Sequence, residues 1–224
     1  MPTVDMERFE RDLAAAPIIA ILRGVTPDTV IEVCEALVES GVRFIETPLN
    51  SPDPIESIRR AAERFGPKAS AAAPSGAPPT AAIHIGAGTV LKPDDVDRVA
   101  EAGGTYIVSP NFNAQVVRRT KELGLFSIPG FFTPSEAFAA IEAGADYLKC
   151  FPARALGPGY LKDLRAVCPN PLVAVGGVDL ANVRDYLAVA AAVGIGSALY
   201  SPTKTIDDIR QAAAAYVARA KGSA

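Results

Sequence analysis

Short apolar runs alternate with longer amphipathic runs along nearly the whole chain. The short runs are rich in β-branched residues and lack strict polar–apolar alternation, a pattern typical of parallel strands covered on both faces. The longer runs have helical spacing, with Pro, Ser or Thr at the start and Gly at the end. Eight strands are predicted, at residues 17–22, 44–49, 83–87, 105–108, 126–128, 147–151, 172–175 and 192–196.

A helix is predicted after each of these strands, and one more precedes the first strand, where we expect it to close the bottom of the fold. Thr133 and Glu136 have the spacing of a capping box. Thr26 and Pro27 predict the N-cap and first position of the helix after strand one. The predicted helices are residues 6–15, 30–39, 55–65, 94–102, 114–123, 137–143, 182–189 and 207–219, with another after Pro158.

Strands and helices that alternate through short connections imply parallel strands joined by right-handed crossovers. Eight such units in 224 residues close most simply into a single (β/α)8 TIM barrel of the α/β class, with an extra N-terminal helix. An open doubly wound sheet is the alternative. That sheet favours fewer strands or a GxGxxG fingerprint after strand one, where this chain has Arg23-Gly24-Val25. We therefore predict one domain over residues 1–224.

Residues 68–82 depart from this alternation. Their sequence, KASAAAPSGAPPTAA, is rich in Ala, Pro, Gly and Ser and has no periodicity. Such a composition predicts a flexible surface insertion between the second helix and the third strand. A lid or a subunit contact is the alternative interpretation.

Composition and charge argue against several classes of protein. The 22 Lys and Arg residues against 25 Asp and Glu residues give a net charge of −3, which argues against nucleic acid or an anionic membrane as the partner. Three Cys without a CxxC pair exclude a disulfide scaffold, and a single His argues against a multi-histidine metal site. The polar N-terminus and the absence of an apolar run of about 20 residues predict a cytoplasmic protein.

Two charged residues lie within apolar strands, where packing alone disfavours them. Lys149, between Leu148 and Cys150, loses most of its hydration there, and burial lowers an ammonium pKa from about 10.4 to as little as about 5–6. A neutral amine attacks a ketone or aldehyde to form a Schiff base. Glu46, in the second strand, is the candidate for the proton transfers that this chemistry needs. A buried, purely structural ion pair between Lys149 and Glu46 stays open as the alternative.

Glycines end the last two strands, with Gly176 and Gly177 after the seventh and Gly196 before Ser197 after the eighth. Glycine lets backbone N–H groups approach an anion closely, and barrels often hold phosphate between these two loops. Tight turns alone also favour glycine. Their presence at adjacent strand ends nevertheless favours a phosphorylated substrate.

Three other polar residues have simpler interpretations. His84 lies before Gly86, away from the carboxyl edge of the strands, and is predicted to be structural. Cys150 alternates with Lys149 and is expected to face the helices. Arg23, at the end of strand one, is either part of a salt bridge at the barrel mouth or a clamp for carboxylate or phosphate.

Eight short motifs occur in order between about Pro17 and Tyr200. They are ILRGV (21–25), IETPLNSP (45–52), GAGTVL (86–91), SPN (109–111), IPG (128–130), LKCFP (148–152), AVGGV (174–178) and GIGS (194–197). The chain that carries them resembles the 2-keto-3-deoxy-6-phosphogluconate aldolase family, class I aldolases with a (β/α)8 barrel. So many ordered matches make the resemblance specific.

The resemblance implies a role for each matching residue. Lys149 falls on the Schiff-base lysine and Glu46 on the proton-transfer glutamate. It further implies reversible cleavage of a six-carbon phosphorylated 2-keto-3-deoxy sugar acid to pyruvate and glyceraldehyde 3-phosphate, without metal or other cofactor, in a homotrimer. The substrate-binding positions are Arg23, Thr89, Pro110 and Phe151, and the phosphate-binding positions are Gly176, Gly177, Gly196 and Ser197.

One departure from the family pattern bears on specificity. Gluconate-type members carry an Arg in a Thr-Leu-Arg-Thr motif, where this chain has Asn50 in the sequence PLNS. The change favours the galactonate branch of the family, with Arg23 supplying the missing charge. A gluconate-specific or dual-specificity aldolase is the alternative within the family. Outside it stand a non-catalytic phosphosugar-binding barrel and a metal-dependent class II aldolase, which the lack of clustered His disfavours.

Overall fold

Parallel strands form a ring that is surrounded by helices in the computed structural model, which describes residues 4–66 and 82–222. The strands are β1 (Ile18–Ile21), β2 (Phe44–Pro48), β3 (His84–Gly88), β4 (Tyr106–Val108), β5 (Phe126–Ile128), β6 (Gly130–Phe131), β7 (Leu148–Cys150), β8 (Leu172–Val175) and β9 (Ala192–Ile195). The helices are α1 (Met6–Ala15), α2 (Val30–Glu39), α3 (Pro54–Phe65), α4 (Pro93–Glu101), α5 (Ala114–Glu122), α6 (Pro134–Glu142), α7 (Gly157–Arg165), α8 (Val183–Leu187) and α9 (Ile206–Ala220).

The ring closes at Pro129, where two short strands, β5 and β6, share one position of the ring and pair with different neighbours. Neighbouring strands follow the order β5-β4-β3-β2-β1-β9-β8-β7-β6, so β5 and β6 stand at its two ends, one residue apart in the chain. Proline has no N–H to donate, which divides the strand in two. The carbonyl of Pro129 nevertheless accepts from Lys149 N at 2.9 Å, and that of Ser127 accepts from Tyr147 N at 3.1 Å. The eight predicted strand positions and the TIM-like barrel are therefore confirmed.

The helix predictions agree closely with the structure, with one correction. The second helix was expected to begin with Thr26 as its N-cap, but it begins at Val30, and Thr29 is the flanking residue. The reason is a turn, in which the N–H groups of Thr29 and Val30 both bond the carbonyl of Thr26. The capping box of Thr133 and Glu136 is confirmed.

Part of the sequence prediction falls outside the described residues. The insertion predicted at 68–82 lies there, except for its last residue. Over residues 4–66 and 82–222, no helix is both long and apolar enough to span a membrane.

The strands separate two apolar cores. The larger one lies between the strands and the helices and includes Leu148 and Cys150, as predicted for Cys150. The smaller one fills the barrel interior with Ile19, Ile21, Val173 and other side chains from the inward faces of the strands. Because successive residues of a strand point to opposite faces, membership of these two cores shows which way each strand residue points.

Helix α1 forms the floor of the barrel, at the amino ends of the strands. Phe9 is fully buried in the interior core, stacked 4.0 Å from the ring of Phe126 and edge-on to Phe44 at 5.0 Å. Aromatic rings of this size contribute large buried areas, so the N-terminal helix is part of the core rather than an appendage. Its predicted role in closing the bottom of the fold is confirmed.

His84 belongs to this floor, as predicted. Its ring stacks 4.6 Å from Phe44, and its Nε2 lies 2.9 Å from Oδ2 of Asp12 in α1. Burial lowers the pKa of His84, although the Asp12 carboxylate opposes the shift. A neutral imidazole that donates to Asp12 therefore ties α1 to β3.

Candidate active site

Lys149 and Glu46 face one another across the barrel interior. Their strand neighbours Leu148, Cys150 and Ile45 belong to the outer core, so both charged side chains point inward. Strands β2 and β7 lie opposite each other in the ring. Three strand positions stand between them in either direction, when β5 and β6 are counted as one position. The two side chains are 2% and 5% exposed for Glu46 and Lys149 respectively. The two residues that the sequence singled out therefore stand on opposite walls of the barrel interior.

Burial dominates the ionisation of both groups. Loss of hydration lowers the pKa of Lys149, the Arg23 charge lowers it further, and the Glu46 carboxylate opposes the shift. The same loss of hydration raises the pKa of Glu46, against the positive charges of Lys149 and Arg23. The ion pairs within 4.0 Å among the described residues do not include this pair. Burial thus lowers the pKa of Lys149 and raises that of Glu46, and the two groups lack the direct contact of the structural ion pair that was the alternative.

Phe151 covers Lys149 at the mouth of the barrel. Its ring centroid lies 5.0 Å from Lys149 Nζ, and its side chain remains 36% exposed. An aromatic face attracts a cation at this distance. The ring thus borders the amine on its solvent side, next to the space that a substrate must enter.

The Glu46 carboxyl group occupies space that a glycine provides. It lies over Gly88 in β3, where a Cβ atom would collide with the carboxyl oxygen. The backbone of Gly88 is not left-handed, so the requirement here is space rather than conformation. The motif GAGTVL therefore makes room for the acid of the neighbouring strand.

Arg23 stands at the mouth of the barrel and is held by the loop that follows β2. Its Nη1 donates to Asn50 Oδ1 at 2.7 Å, and the N–H of the next residue, Gly24, donates to Ser51 Oγ at 2.9 Å. The side chain of Arg23 is exposed, yet its charge shifts the pKa of both interior groups. The substituted motif PLNS thus orients the arginine toward the cavity.

Thr89 and Pro110 follow the carboxyl ends of β3 and β4. Thr89 has φ of 57°, a left-handed conformation that is strained for a β-branched residue. Pro110 packs so closely on Gly130 that a Cβ there would strike its carbonyl group. Strained backbone of this kind is concentrated at functional sites, which supports Thr89 as a candidate site residue.

The glycines after β8 form a turn beside the loop that follows Lys149. Gly176 and Gly177 have φ of 94° and 82°, values that favour glycine. Arg154 packs against Gly177, and its N–H donates to the carbonyl of Gly176 at 3.0 Å. Gly196, after β9, has no neighbouring atom within 4 Å of the position of an added Cβ.

Sequence reasoning missed two residues at this mouth. Arg154 and Asn50 are both polar, and both lie within or beside the motifs already noted. A cation two residues after the Phe151–Pro152 pair at a strand end was a usable signal for Arg154. For Asn50 no such signal existed, because its contact with Arg23 joins loops 27 residues apart.

The comparisons with known proteins agree with this geometry. The family model described as "Aldolase: KDPG and KHG aldolase" matches residues 9–215. A parallel barrel with such a match is an aldolase, a carbon–carbon lyase. The chain belongs to the KDPG and KHG aldolase family.

Two curated relatives share more than two fifths of their residues with this chain. A probable 2-dehydro-3-deoxy-6-phosphogalactonate aldolase of Rhizobium meliloti is 44% identical over 216 residues, 95% of either chain. The 2-dehydro-3-deoxy-6-phosphogalactonate aldolase of Escherichia coli K12 is 42% identical, over 90% of this chain and 93% of its own.

Three solved structures share the fold. A native KDPGal structure has a TM-score of 0.83 at 40% identity, over 92% of this chain and 95% of that one. A porous protein cage designed by fusing symmetric oligomeric domains has a TM-score of 0.84 at 40% identity, over 93% and 73%. A KDPG aldolase from Legionella pneumophila, with pyruvate captured as a covalent carbinolamine, has a TM-score of 0.78 at 26% identity, over 93% and 97%.

We expect Gly88→Ala to displace the Glu46 carboxyl group while leaving the fold intact, because the colliding atom ends a flexible side chain. Displacement of a reacting group by about 1 Å can lower a rate by about 10²-fold, so kcat for aldol cleavage should fall by about that factor. Circular dichroism and steady-state kinetics measure the two effects. Gly159→Ala in α7, where an added Cβ meets no atom within 4 Å, is the matched control. A Gly88→Ala enzyme with wild-type kcat would contradict this account.

Proposed function

We propose that the chain is a class I aldolase that cleaves 2-dehydro-3-deoxy-6-phosphogalactonate reversibly to pyruvate and glyceraldehyde 3-phosphate. The observation that carries the proposal is the buried Lys149, whose lowered pKa keeps its amine available as a nucleophile opposite Glu46. Both curated relatives above 40% identity bear the galactonate name. The pyruvate carbinolamine captured in the Legionella enzyme supports an imine route for the family.

The first stage joins Lys149 to the substrate. The neutral amine attacks the C2 carbonyl carbon, and the carbonyl oxygen takes up a proton to give a carbinolamine. Glu46, acting through a water molecule, delivers the second proton to that oxygen, which departs as water. The product is an iminium ion, whose positive charge draws electrons toward C2.

The second stage breaks the C3–C4 bond. Glu46, again as carboxylate, accepts the C4 hydroxyl proton while the bonding electrons move to form the C2=C3 enamine. C4 becomes the aldehyde carbon of glyceraldehyde 3-phosphate. Glu46 returns its proton to C3. Water then adds to C2 of the iminium, and the C2–N bond breaks to release pyruvate. The proton left over passes to Glu46, which restores the protonated acid and the neutral amine of the starting state. A carboxyl group with a raised pKa is suited to both directions of this transfer.

The remaining candidate residues hold the substrate in position beside Lys149 and Glu46. We assign the phosphate to the loops of Gly176, Gly177, Gly196 and Ser197, with Arg154 alongside. Arg23, oriented by Asn50, is the cation for the substrate carboxylate, because the PLNS motif lacks an arginine of its own. Thr89, Pro110 and Phe151 complete the substrate pocket. Fixing both ends of the substrate positions its C3–C4 bond against the electron sink, an effect worth several kcal/mol.

We further propose a homotrimer in the cytoplasm. Phe132 and Phe138 are 43% and 39% exposed, and exposed aromatic side chains of this kind are suited to a subunit contact. The cage built from symmetric oligomeric domains supports an oligomer. Sedimentation velocity should give the mass of three chains. The mass of one chain would contradict the assembly.

Borohydride added in the presence of pyruvate should trap the Lys149 imine as a secondary amine. Mass spectrometry of a digest should then find a pyruvate-derived adduct on the peptide that contains Lys149. Lys149→Ala should abolish both the adduct and turnover, and Lys149→Arg should restore neither, since its guanidinium stays protonated. Failure to find an adduct in the active enzyme would contradict the imine mechanism.

Comparison of the two C4 epimers tests the substrate assignment. With pyruvate release coupled to lactate dehydrogenase, we expect kcat/KM for the galactonate epimer to exceed that for the gluconate epimer by about tenfold or more, a difference of about 1.4 kcal/mol. Equal values would indicate a dual-specificity enzyme, and the reverse order a gluconate aldolase. Binding of both without pyruvate release would indicate a non-catalytic phosphosugar-binding barrel.

A further inference from the structure

Tyr106 in β4 is fully buried, and its hydroxyl has no hydrogen-bond partner among the described residues. It belongs to the interior core, where its ring is edge-on to Phe9 at 5.6 Å and to Phe44 at 6.2 Å. A buried hydroxyl without a partner lowers stability, and phenylalanine would fill the same space without that loss. The hydroxyl of Tyr106 therefore needs an explanation other than packing.

The strand register places Tyr106 and Glu46 on either side of the same β3 residue, Gly86. Glu46 pairs with Gly86 between β2 and β3, and Gly86 pairs with Tyr106 between β3 and β4. The missing side chain of Gly86 makes room for the tyrosine, since a Cβ there would lie 2.5 Å from its ring. The ring thus crosses the inner face of β3 from one side.

Glu46 crosses the same face from the other side. Its carboxyl group lies over Gly88, two residues beyond Gly86. The α carbons of two such positions are about 6.6 Å apart along the strand. A hydroxyl and a carboxyl group that lie over them can share one water molecule, which joins oxygens about 4.5–5.5 Å apart. Buried waters in proteins characteristically join polar groups that otherwise lack partners.

The charges around the two groups agree with this proximity. Burial is the largest cause of the raised pKa of Tyr106. The Glu46 carboxylate is the second cause, and the Cys34 thiol in α2 contributes less. Burial raises the pKa of Cys34 to about 12, so that thiol stays neutral. Glu46 in turn faces the positive charges of Lys149 from β7 and Arg23 from the end of β1.

We propose that Tyr106 is a positioning residue for Glu46, with its hydroxyl joined to the carboxylate through one buried water. The hydroxyl donates toward the carboxylate, which holds the Glu46 side chain against β3 and favours its ionised form. The Tyr106 hydroxyl thus opposes the rise in the pKa of Glu46 that burial causes, and it keeps Glu46 able to accept a proton. Only the kinetic consequence of this contact rests on the proposed aldolase function.

Tyr106→Phe tests the proposal by removing the hydroxyl alone. The infrared carbonyl band of protonated Glu46, identified by its loss in Glu46→Gln, should titrate at a pH about one unit higher in Tyr106→Phe, because the ionised form has lost a donor. We expect kcat for aldol cleavage to fall by about three- to tenfold, with KM within about twofold, since the hydroxyl does not touch the substrate. Loss of this one hydrogen bond should lower the melting temperature by no more than a few degrees.

Tyr147→Phe is the matched control. Tyr147 belongs to the same interior core, but the charges nearest to it are Glu10 and Asp146. Its variant should leave the Glu46 titration and kcat unchanged. An unchanged titration in Tyr106→Phe, or a rise in KM without a fall in kcat, would overturn the proposal. Because the infrared titration needs no substrate, it decides on Tyr106 even if the wild type cleaves neither epimer.

Discussion

An amine that must stay uncharged at neutral pH requires surroundings that hydrate an ammonium group poorly. The barrel places Lys149 on an inward strand position, where it is 5% exposed, and burial together with the Arg23 charge lowers the pKa of its amine. Removing a charge from water costs several kcal/mol, and the opposite charges of Lys149 and Glu46 each oppose the pKa shift that burial causes in the other. Strand positions on opposite sides of the ring keep the two groups out of direct contact.

The wall next to Glu46 shows how a parallel sheet accommodates such groups. Strand β3 contributes two glycines, Gly86 and Gly88, to the inner face of the barrel. Each leaves space that a side chain of a neighbouring strand occupies. A side chain at either position would displace Tyr106 or Glu46. Reactive geometry in this barrel is therefore set partly by residues that have no side chain, and their effect depends on the register between β2, β3 and β4.

The sequence predicted the features that depend on local pattern. Strand and helix positions follow from hydrophobic periodicity and from turn residues, and Lys149 and Glu46 stand out as charges within apolar strands. What it missed depends on contacts between distant segments. The turn of Thr26 displaced an expected N-cap, and the short strand β6 follows Pro129, beyond the fifth strand predicted at 126–128. The bond between Arg23 and Asn50 and the placement of Tyr106 beside Gly86 need the strand register, which no local pattern supplies.

The barrel separates stability from chemistry along its axis. At the amino ends of the strands, Phe9 stacks on Phe126, and His84 Nε2 bonds Asp12, so the rings are packed and α1 is tied to β3. At the carboxyl ends the backbone is strained at Thr89 and the exposed side chains are Arg23 and Phe151. Protein interiors are close-packed and compress little. A rigid floor therefore fixes the positions of the strand ends at the mouth of the barrel. Tyr106 lies between these two zones, and its hydroxyl has no hydrogen-bond partner among the described residues. Its ring packs on Phe9 of the floor, and only Gly86 separates it from Glu46 in the strand register.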